Sequence, residues 1–282
     1  MNLNDPNVLK IIQLAIDEDI KSGDVTTSAT IVEDKTAEAI IRVKENGIIA
    51  GLEVAKIVIG NLEKEVVWKI YKSDGDYCKS GEVVAIVKAR SSVLLTAERT
   101  VLNFLQRMSG IATKTNRFVR ELEGLNTKIL DTRKTVPGHR ALDKYAVKIG
   151  GGENHRMGLY DMVMIKDNHI KVAGGIGKAI ELVKKKYTDS YKIEVETSNL
   201  EDVKEALKYN IDFIMFDNMS IGEMSEAVRL CKGKVKTEAS GNITLSNVRK
   251  VAETGVDFIS IGELTHSVKA MDIAMKIVVS SG

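Results

Sequence analysis

The sequence predicts an α/β fold in two parts: a first domain built on a sheet, then a parallel β/α barrel with fewer than the usual eight units. Three observations carry that prediction. From about residue 30 to 95 the chain runs in short β-like segments broken by turn dipeptides. A long stretch of helical period follows, and beyond it apolar runs alternate with amphipathic helical segments. Strands that alternate with helices imply a parallel sheet.

Composition bounds what such a fold can do. The 282 residues, 44% hydrophobic and 28% charged, suffice for one large domain or two modest ones with a real core. The 41 basic and 39 acidic residues nearly cancel, to a formal net charge of +2. No global field therefore draws nucleic acid or a membrane, and an anionic ligand must be captured locally. Cys78 and Cys231 lie far apart without metal-ligand spacing, the usage expected of a reduced, cytoplasmic protein with both thiols buried. No apolar run approaches the roughly 18 residues of a membrane span, and the opening "MNLNDPNVLKIIQLAIDEDI" does not read as a signal peptide.

Asp5 reads as an N-cap with Pro6 at the first helical position. Val8, Leu9, Ile11, Ile12 and Ala15 follow at helical spacing, so the chain opens on an amphipathic helix. "AEAIIRVKENGIIAG" and "VVWKIYKSDGDYCKSGEVVAIVKA" read as strands, with turns at Asn46-Gly47, Asp74-Gly75 and Ser80-Gly81. "SSVLLTAERTVLNFLQRMSGIATKTNRFVRELEG" switches to helix, with Leu95, Val101, Leu102, Leu105 and Met108 on one side, and the domain change is expected near residue 110. Beyond it "TKILDTRK", "YDMVMIKDNH", "YKIEVETS", "DFIMFDN", "KVKTEASGN" and "DFISIGELTHS" read as strands. "KAIELVKKKY", "LEDVKEALKY", "MSEAVRLCKG" and "TLSNVRKVAETG" read as helices, giving about six βα units. No strand runs straight into the G-x-G-x-x-G fingerprint, and a βα spacing of roughly 20 to 35 residues suits a barrel better than an open doubly wound sheet.

Each apolar run ends on its carboxyl side in groups able to do chemistry. In order these are Arg133-Lys134, Lys166-Asp167-Asn168-His169, Glu194 with Glu196, Asp217-Asn218, Glu238 with Ser240-Gly241-Asn242, and Gly262 with His266. Strands generally end in polar loops, and one such ending means little. In a parallel barrel, however, all these ends converge on the face that holds the active site, so six of them form one pocket. Arginine grips carboxylates and phosphates with a planar fork and lysine acts as a point charge, so the pocket suits a ligand with several anionic groups. The turns "ASGNI" and "SIGELTHS" end the last two strands, where barrels often cradle a phosphate on backbone N–H groups. Glu196 and Asp217 stand between the two sides. They can accept from sugar hydroxyls, help hold a hydrated Mg²⁺, stabilise a developing carbocation, or simply balance Lys166.

The four histidines, His139, His155, His169 and His266, show neither H-E-x-x-H nor a pairing with cysteine, so no histidine-held metal is expected. His155, flanked by Asn154 and Arg156 after Gly150-Gly151-Gly152, is the best ligand-contact candidate among them.

At this point the blocks "ERTVLNFLQRMSGIAT" (98–113), "DTRKTVPG" (131–138), "KYAVKIGGGENHRMGLYDMVMIKDNH" (144–169), "EVET" (194–197), "FDN" (216–218), "EASGNI" (238–243) and "GVDFISIGELTHS" (255–267) resemble the nicotinate-nucleotide pyrophosphorylases, also called quinolinate phosphoribosyltransferases. The resemblance runs through most of the chain in one order. His139, where a bulky apolar residue is expected, and Glu263, where a small one is usual, depart from the pattern beside the chemical positions.

The resemblance implies an N-terminal α/β sandwich domain over 1–110 and an incomplete β/α barrel over 111–267, with a last helix at about 268–282 packing back on the first domain. It implies a homodimer, or a hexamer of dimers, whose subunits complete one another's sites, with Arg99 reaching into its neighbour. The implied reaction joins quinolinate to phosphoribosyl pyrophosphate with Mg²⁺, giving nicotinate mononucleotide, pyrophosphate and CO₂ for NAD biosynthesis. Arg99, Arg133, His155, Arg156 and Lys166 then surround quinolinate, and Lys134, Arg140 and Lys166 neighbour the pyrophosphate. Ser240, Gly241, Asn242 and Gly262 take the 5′-phosphate with His266 nearby. Lys134, Lys166, Glu196 and Asp217 form the implied catalytic set.

Three rivals stay open on sequence. A paralogous phosphoribosyltransferase acting on another pyridine or azole, of the type associated with molybdate transport, would differ in its preference for a diacid. A barrel aldolase would use Lys166 as a Schiff-base nucleophile, trappable by borohydride. A non-catalytic phosphometabolite-binding protein is disfavoured by the acids placed opposite the cations, and loss of turnover without loss of affinity in Glu196→Ala would weigh against it.

Overall fold

The structure, a computed structural model, describes residues 5–188 and 190–278. Its first half runs α1 (Pro6–Ile20), α2 (Val25–Thr30), β1 (Thr36–Val43), β2 (Gly47–Ile48), α3 (Leu52–Leu62), β3 (Val67–Ile70), β4 (Tyr77–Cys78), β5 (Val83–Arg90) and the long helix α4 (Ser91–Glu121). There follow β6 (Lys128–Leu130), α5 (Arg140–Ile149), β7 (Val163–Ile165), α6 (Asp167–Ala173), α7 (Ile176–Tyr187), β8 (Ile193–Thr197) and α8 (Leu200–Ala206). The chain continues with β9 (Phe213–Asp217), α9 (Ile221–Cys231), β10 (Lys236–Ser240), α10 (Val248–Ala252), β11 (Phe258–Ser260), α11 (Glu263–His266) and β12 (Ile273–Val278).

These elements form two compact units. One comprises the chain up to Asn116, Thr135–Gly151 and the residues from Thr265 on; the other comprises Arg117–Lys134 and Gly152–Leu264. Each unit is discontinuous along the chain: Thr135–Gly151, which carries α5, and the residues from Thr265 on group with the first unit, while the rest of the β6–β7 segment groups with the second.

In the first unit, Asp5 caps α1 as its sequence predicts, accepting from the Asn7 N–H at 2.8 Å, and Val8, Ile12 and Ile16 form the buried stripe. An antiparallel sheet of order β12-β1-β5-β3 carries Ala39, Ile41 and Val43 of β1 inward. Helix α4 buries Val101, Leu102, Leu105 and Met108, but Leu95 lies 38% exposed, off the stripe expected to contain it.

The helix expected at about 268–282 is instead, over its described part, the strand β12. It pairs antiparallel with β1, from Val43 against Ile273 to Glu38 against Val278. The run is short and alternates, burying Ile273 and Met275, and β1 offers an unpaired edge to receive it. A short apolar run does not distinguish strand from helix by periodicity, and here the available edge decides. Residues 279–282 of that expectation lie outside the described residues.

The second unit is a six-stranded parallel sheet of order β6-β11-β10-β9-β8-β7. That order is the cyclic chain order broken at one place, between β6 and β7, so the sheet is a barrel with one open seam. All six expected strands lie in it. At the seam the returning chain runs alongside β6: Glu153 donates its N–H to Ile129 O, and Asp131 donates to Glu153 O. Alternation in β8 puts Ile193, Val195 and Thr197 on one face and Glu194 and Glu196 on the other. The pairings carry that second face to Lys166, just past β7, and across to Asp217, Glu238, Ser240 and Ser260.

Candidate active site

In a sheet of parallel strands every carboxyl end lies on one edge, and this edge collects the charged residues. Lys166 follows β7, and its Nζ lies 2.8 Å from Glu196 Oε2 on β8. Glu196 thus balances Lys166. Asp217, which ends β9, has a different partner: its Oδ2 accepts from Asn218 Nδ2 at 3.0 Å. Ser240 stands beside Asp217 in register, followed by Gly241 at φ +96° and Asn242 at φ +50°. The left-handed pair turns the backbone sharply past the strand end, which is why a glycine is needed at 241. Gly262 follows the end of β11, where Ile261 donates to Leu130 O at 3.0 Å.

A second cluster sits across the seam. Asp131, fully buried just past β6, accepts from the His155 N–H at 2.9 Å and from Asn154 Nδ2 at 2.7 Å. It fixes the segment that presents His155 and Arg156. Arg156 donates from Nη1 to Met162 O at 2.9 Å. Burial, and then the neighbouring Arg133 charge, pull the Arg156 guanidinium below its ordinary pKa, with Glu194 and Asp161 acting in the opposite direction. Arg133 Nε is buried with no hydrogen-bond partner among the described residues. Two guanidinium groups held near each other, one with an unsatisfied buried donor, suit the capture of a carboxylate or phosphate.

Behind the arginines, His155 Nε2 lies 3.1 Å from Glu194 Oε2 and 3.2 Å from Glu238 Oε2. The Glu194 contact has ion-pair distance without hydrogen-bond geometry, so both oxygens of this fully buried carboxylate lack a hydrogen-bond partner among the described residues. Burial, and then the Glu238 charge, raise the Glu194 pKa. Burial disfavours a charged His155 ring while Glu194 and then Glu238 favour one, and the carboxylates prevail, raising its proton affinity. The protons belong to the trio as a unit.

The same three residues have the composition of a metal site, with ligand atoms within 4.8 Å of one another. The Arg156 N–H, however, donates to His155 Nδ1 at 2.7 Å. That bond occupies the second ring nitrogen and orients the imidazole with Nε2 toward Glu194 and Glu238.

Four other residues singled out from the sequence have local surroundings of their own. Lys134 is exposed and donates its backbone N–H to Thr132 Oγ1 at 3.1 Å. Arg99, exposed on α4, Arg140, whose Nε donates to Thr135 Oγ1 at 3.2 Å, and His266, whose Nδ1 lies 2.7 Å from Ser267 Oγ, all belong to the first unit. Sequence reasoning passed over Asp131 and gave Glu194 and Asn218 no role. The signal for Glu194 was present: E-V-E-T alternates, so Glu194 must share a face with Glu196.

Comparison with known proteins places the whole chain in a family. Residues 24–109 match the family described as Quinolinate phosphoribosyl transferase, N-terminal domain, and residues 111–276 match its C-terminal domain. A Nicotiana glauca protein, "Quinolinate phosphoribosyltransferase (decarboxylating) 2, mitochondrial", is 46% identical over 288 residues, covering 95% of this chain and 81% of its own. A Bacillus subtilis (strain 168) protein, "Probable nicotinate-nucleotide pyrophosphorylase (carboxylating)", is 43% identical over 279 residues, covering 99% and 96%. The crystal structure of NadC from Streptococcus pyogenes superposes with a TM-score of 0.95 at 37% identity, covering 99% of each chain.

Proposed function

The chain belongs to the quinolinate phosphoribosyltransferase family, and from that premise we infer that it joins quinolinate to phosphoribosyl pyrophosphate. The products are nicotinate mononucleotide, pyrophosphate and CO₂, a step of NAD biosynthesis. The observation that carries this reading is the shared face of Lys166, Glu196, Asp217 and Ser240 at the strand carboxyl ends.

Arg133, His155, Arg156 and Lys166 bind the quinolinate carboxylates, and Arg133 Nε is the unsatisfied donor that one of them fills. Lys134, Arg140 and Lys166 meet the pyrophosphate. The turn Ser240-Gly241-Asn242 with Gly262 takes the 5′-phosphate, His266 lying nearby. The pyridine nitrogen attacks ribose C1 as pyrophosphate leaves, through a transition state of oxocarbenium character. Glu196 and Asp217 oppose that positive charge and accept from the ribose hydroxyls. The new pyridinium nitrogen then stabilises the electron pair left on the adjacent ring carbon as CO₂ departs, and that carbon takes a proton from solvent, so the protein positions and neutralises.

Mg²⁺ brought in on phosphoribosyl pyrophosphate would offset the charge of the leaving pyrophosphate. The carboxylates of Glu196 and Asp217 offer the oxygen donors a hard cation takes, through water, since Glu196 already meets Lys166. The working form is a homodimer, with Arg99 of each subunit supplied to its neighbour. Its exposure on α4 supports this. Cys78 and Cys231, both free and buried, support a reducing, cytoplasmic setting.

The test is turnover of quinolinate with phosphoribosyl pyrophosphate and Mg²⁺, nicotinate replacing quinolinate in parallel. Mononucleotide and CO₂ from quinolinate alone are expected. Silence with quinolinate, from folded protein that binds the phosphoribosyl donor, would shift the reading to a paralogue acting on another pyridine or azole.

A further inference from the structure

Asn218 follows Asp217 directly, at φ +55°. Asparagine is one of the few residues that enter this left-handed region readily. Its backbone N–H donates across to Ser240 O at 2.9 Å, which fixes it to the end of β10. From there its side chain faces two ways. Nδ2 donates to Asp217 Oδ2 at 3.0 Å, and Oδ1 accepts from Asn242 Nδ2 at 2.9 Å.

Gly241 lies against the same amide. A Cβ at Gly241 would come within 2.2 Å of Asn218 Oδ1 and 2.5 Å of its Cγ. The turn is therefore shaped around Asn218 as well as by its own backbone. Asn242 is anchored from its far side too, its carbonyl accepting from Asn247 Nδ2 at 3.0 Å. The amide of Asn218 is thus a single rigid link between a carboxylate on one strand end and a glycine turn on the next.

We propose that Asn218 is a positioning residue that sets the span between the Asp217 carboxylate and the Gly241-Asn242 turn, so that the ribosyl and phosphate ends of a phosphosugar are held together in register. The inference rests on the phosphoribosyl reading above. A phosphosugar anchored at its phosphate reacts at C1, so an error in the span between anchors appears as misplacement of C1 beneath Asp217. By holding Asp217 Oδ2, the Asn218 amide also leaves Oδ1 as the oxygen turned to the substrate. Asn218 acts through its neighbours and needs no contact with the reacting atoms.

Asn218→Gly keeps the left-handed backbone at no steric cost and deletes only the side chain. The measurements, on the whole protein, are kcat, KM for phosphoribosyl pyrophosphate, ribose 5-phosphate affinity by calorimetry and the thermal midpoint. The variants are Asn218→Gly, Asn242→Gly and their double. Asn218→Gly is expected to lower kcat by about tenfold to a hundredfold and to weaken ribose 5-phosphate by about fivefold. The double variant is expected to bind ribose 5-phosphate no more weakly than the worse single one, because either change alone already breaks the Asn218–Asn242 hydrogen bond through which Asn218 reaches the turn. Wild-type kcat in Asn218→Gly, or affinity losses that multiply in the double variant, would overturn the proposal. Should Asn218→Gly fail to fold, Asn218→Asp decides: it retains the acceptor and loses the donor, so kcat must fall, and a wild-type kcat sinks the idea. A wild-type protein that neither binds ribose 5-phosphate nor turns over quinolinate would instead remove the reading beneath it.

Discussion

Asp217 ends β9 and Asp257 precedes β11, two strands of one sheet with only β10 between them. Asp257 is saturated: it accepts from the Thr237 N–H and Oγ1, both at 2.9 Å, and from Lys236 Nζ at 2.6 Å. Asp212, on the same amino-end rim, accepts from the Ile193 N–H at 2.8 Å. At the carboxyl ends the pattern reverses. Among the described residues, Asp217 accepts a side-chain hydrogen bond from Asn218, whereas Arg133 Nε and the buried Glu194 carboxylate have no hydrogen-bond partner. The same residue types tie strands together at one end and stand ready for a ligand at the other, the division expected of a barrel that works at its carboxyl face.

The largest effect should come from breaking the ligand-facing end. Lys166→Met is expected to lower kcat/KM for quinolinate by about a hundredfold to a thousandfold with the fold intact, read by steady-state kinetics beside circular dichroism. Subunit exchange sharpens the picture next. Mixing inactive Arg99→Ala and Lys166→Ala chains should restore about a quarter of wild-type activity if sites are shared across a twofold dimer, and no recovery would remove Arg99 from the neighbour's site.

Asp131 blurs the division, since it is a saturated acid at the carboxyl end. Asp131→Ala should cost about 2–3 kcal/mol in chemical denaturation and also weaken quinolinate binding, because it frees the segment bearing His155 and Arg156. The smallest effect concerns acid stability. Burial opposes ionisation of Asp257, but Lys236 and then Thr237 outweigh it and hold its pKa below the ordinary 3.8. Its stabilisation is therefore complete above 3.8 and disappears as pH falls through the lower folded value. The stability gap between wild type and Asp257→Asn, about 1 kcal/mol at neutral pH, should close only on the acid side of that window.

Much of this was legible in the sequence because barrel strands announce themselves twice, by an apolar run and by the polar group that ends it. Lys166, Glu196, Asp217 and the Ser240-Gly241-Asn242 turn were found in that way. Asp131 was not, because a single acid closing an apolar run looks like the start of a loop, and only the returning chain at the seam supplies its partners. The trio of His155, Glu194 and Glu238 joins residues far apart in sequence, a contact that only the folded chain brings about. The last strand was misread as a helix because its edge partner, β1, lies more than two hundred residues earlier in the chain.

The most direct test pairs one residue from each end in a single reaction. Quinolinate turnover and unfolding free energy would be measured side by side for Glu196→Gln and Asp257→Ala. Glu196→Gln is expected to lose about a hundredfold or more in kcat with stability within about 0.5 kcal/mol of wild type. Asp257→Ala should lose about 1–2 kcal/mol with kcat unchanged within about twofold. If Glu196→Gln instead retained turnover, or Asp257→Ala lost it while still folded, the assignment of chemistry to the carboxyl ends and stability to the amino ends would be wrong.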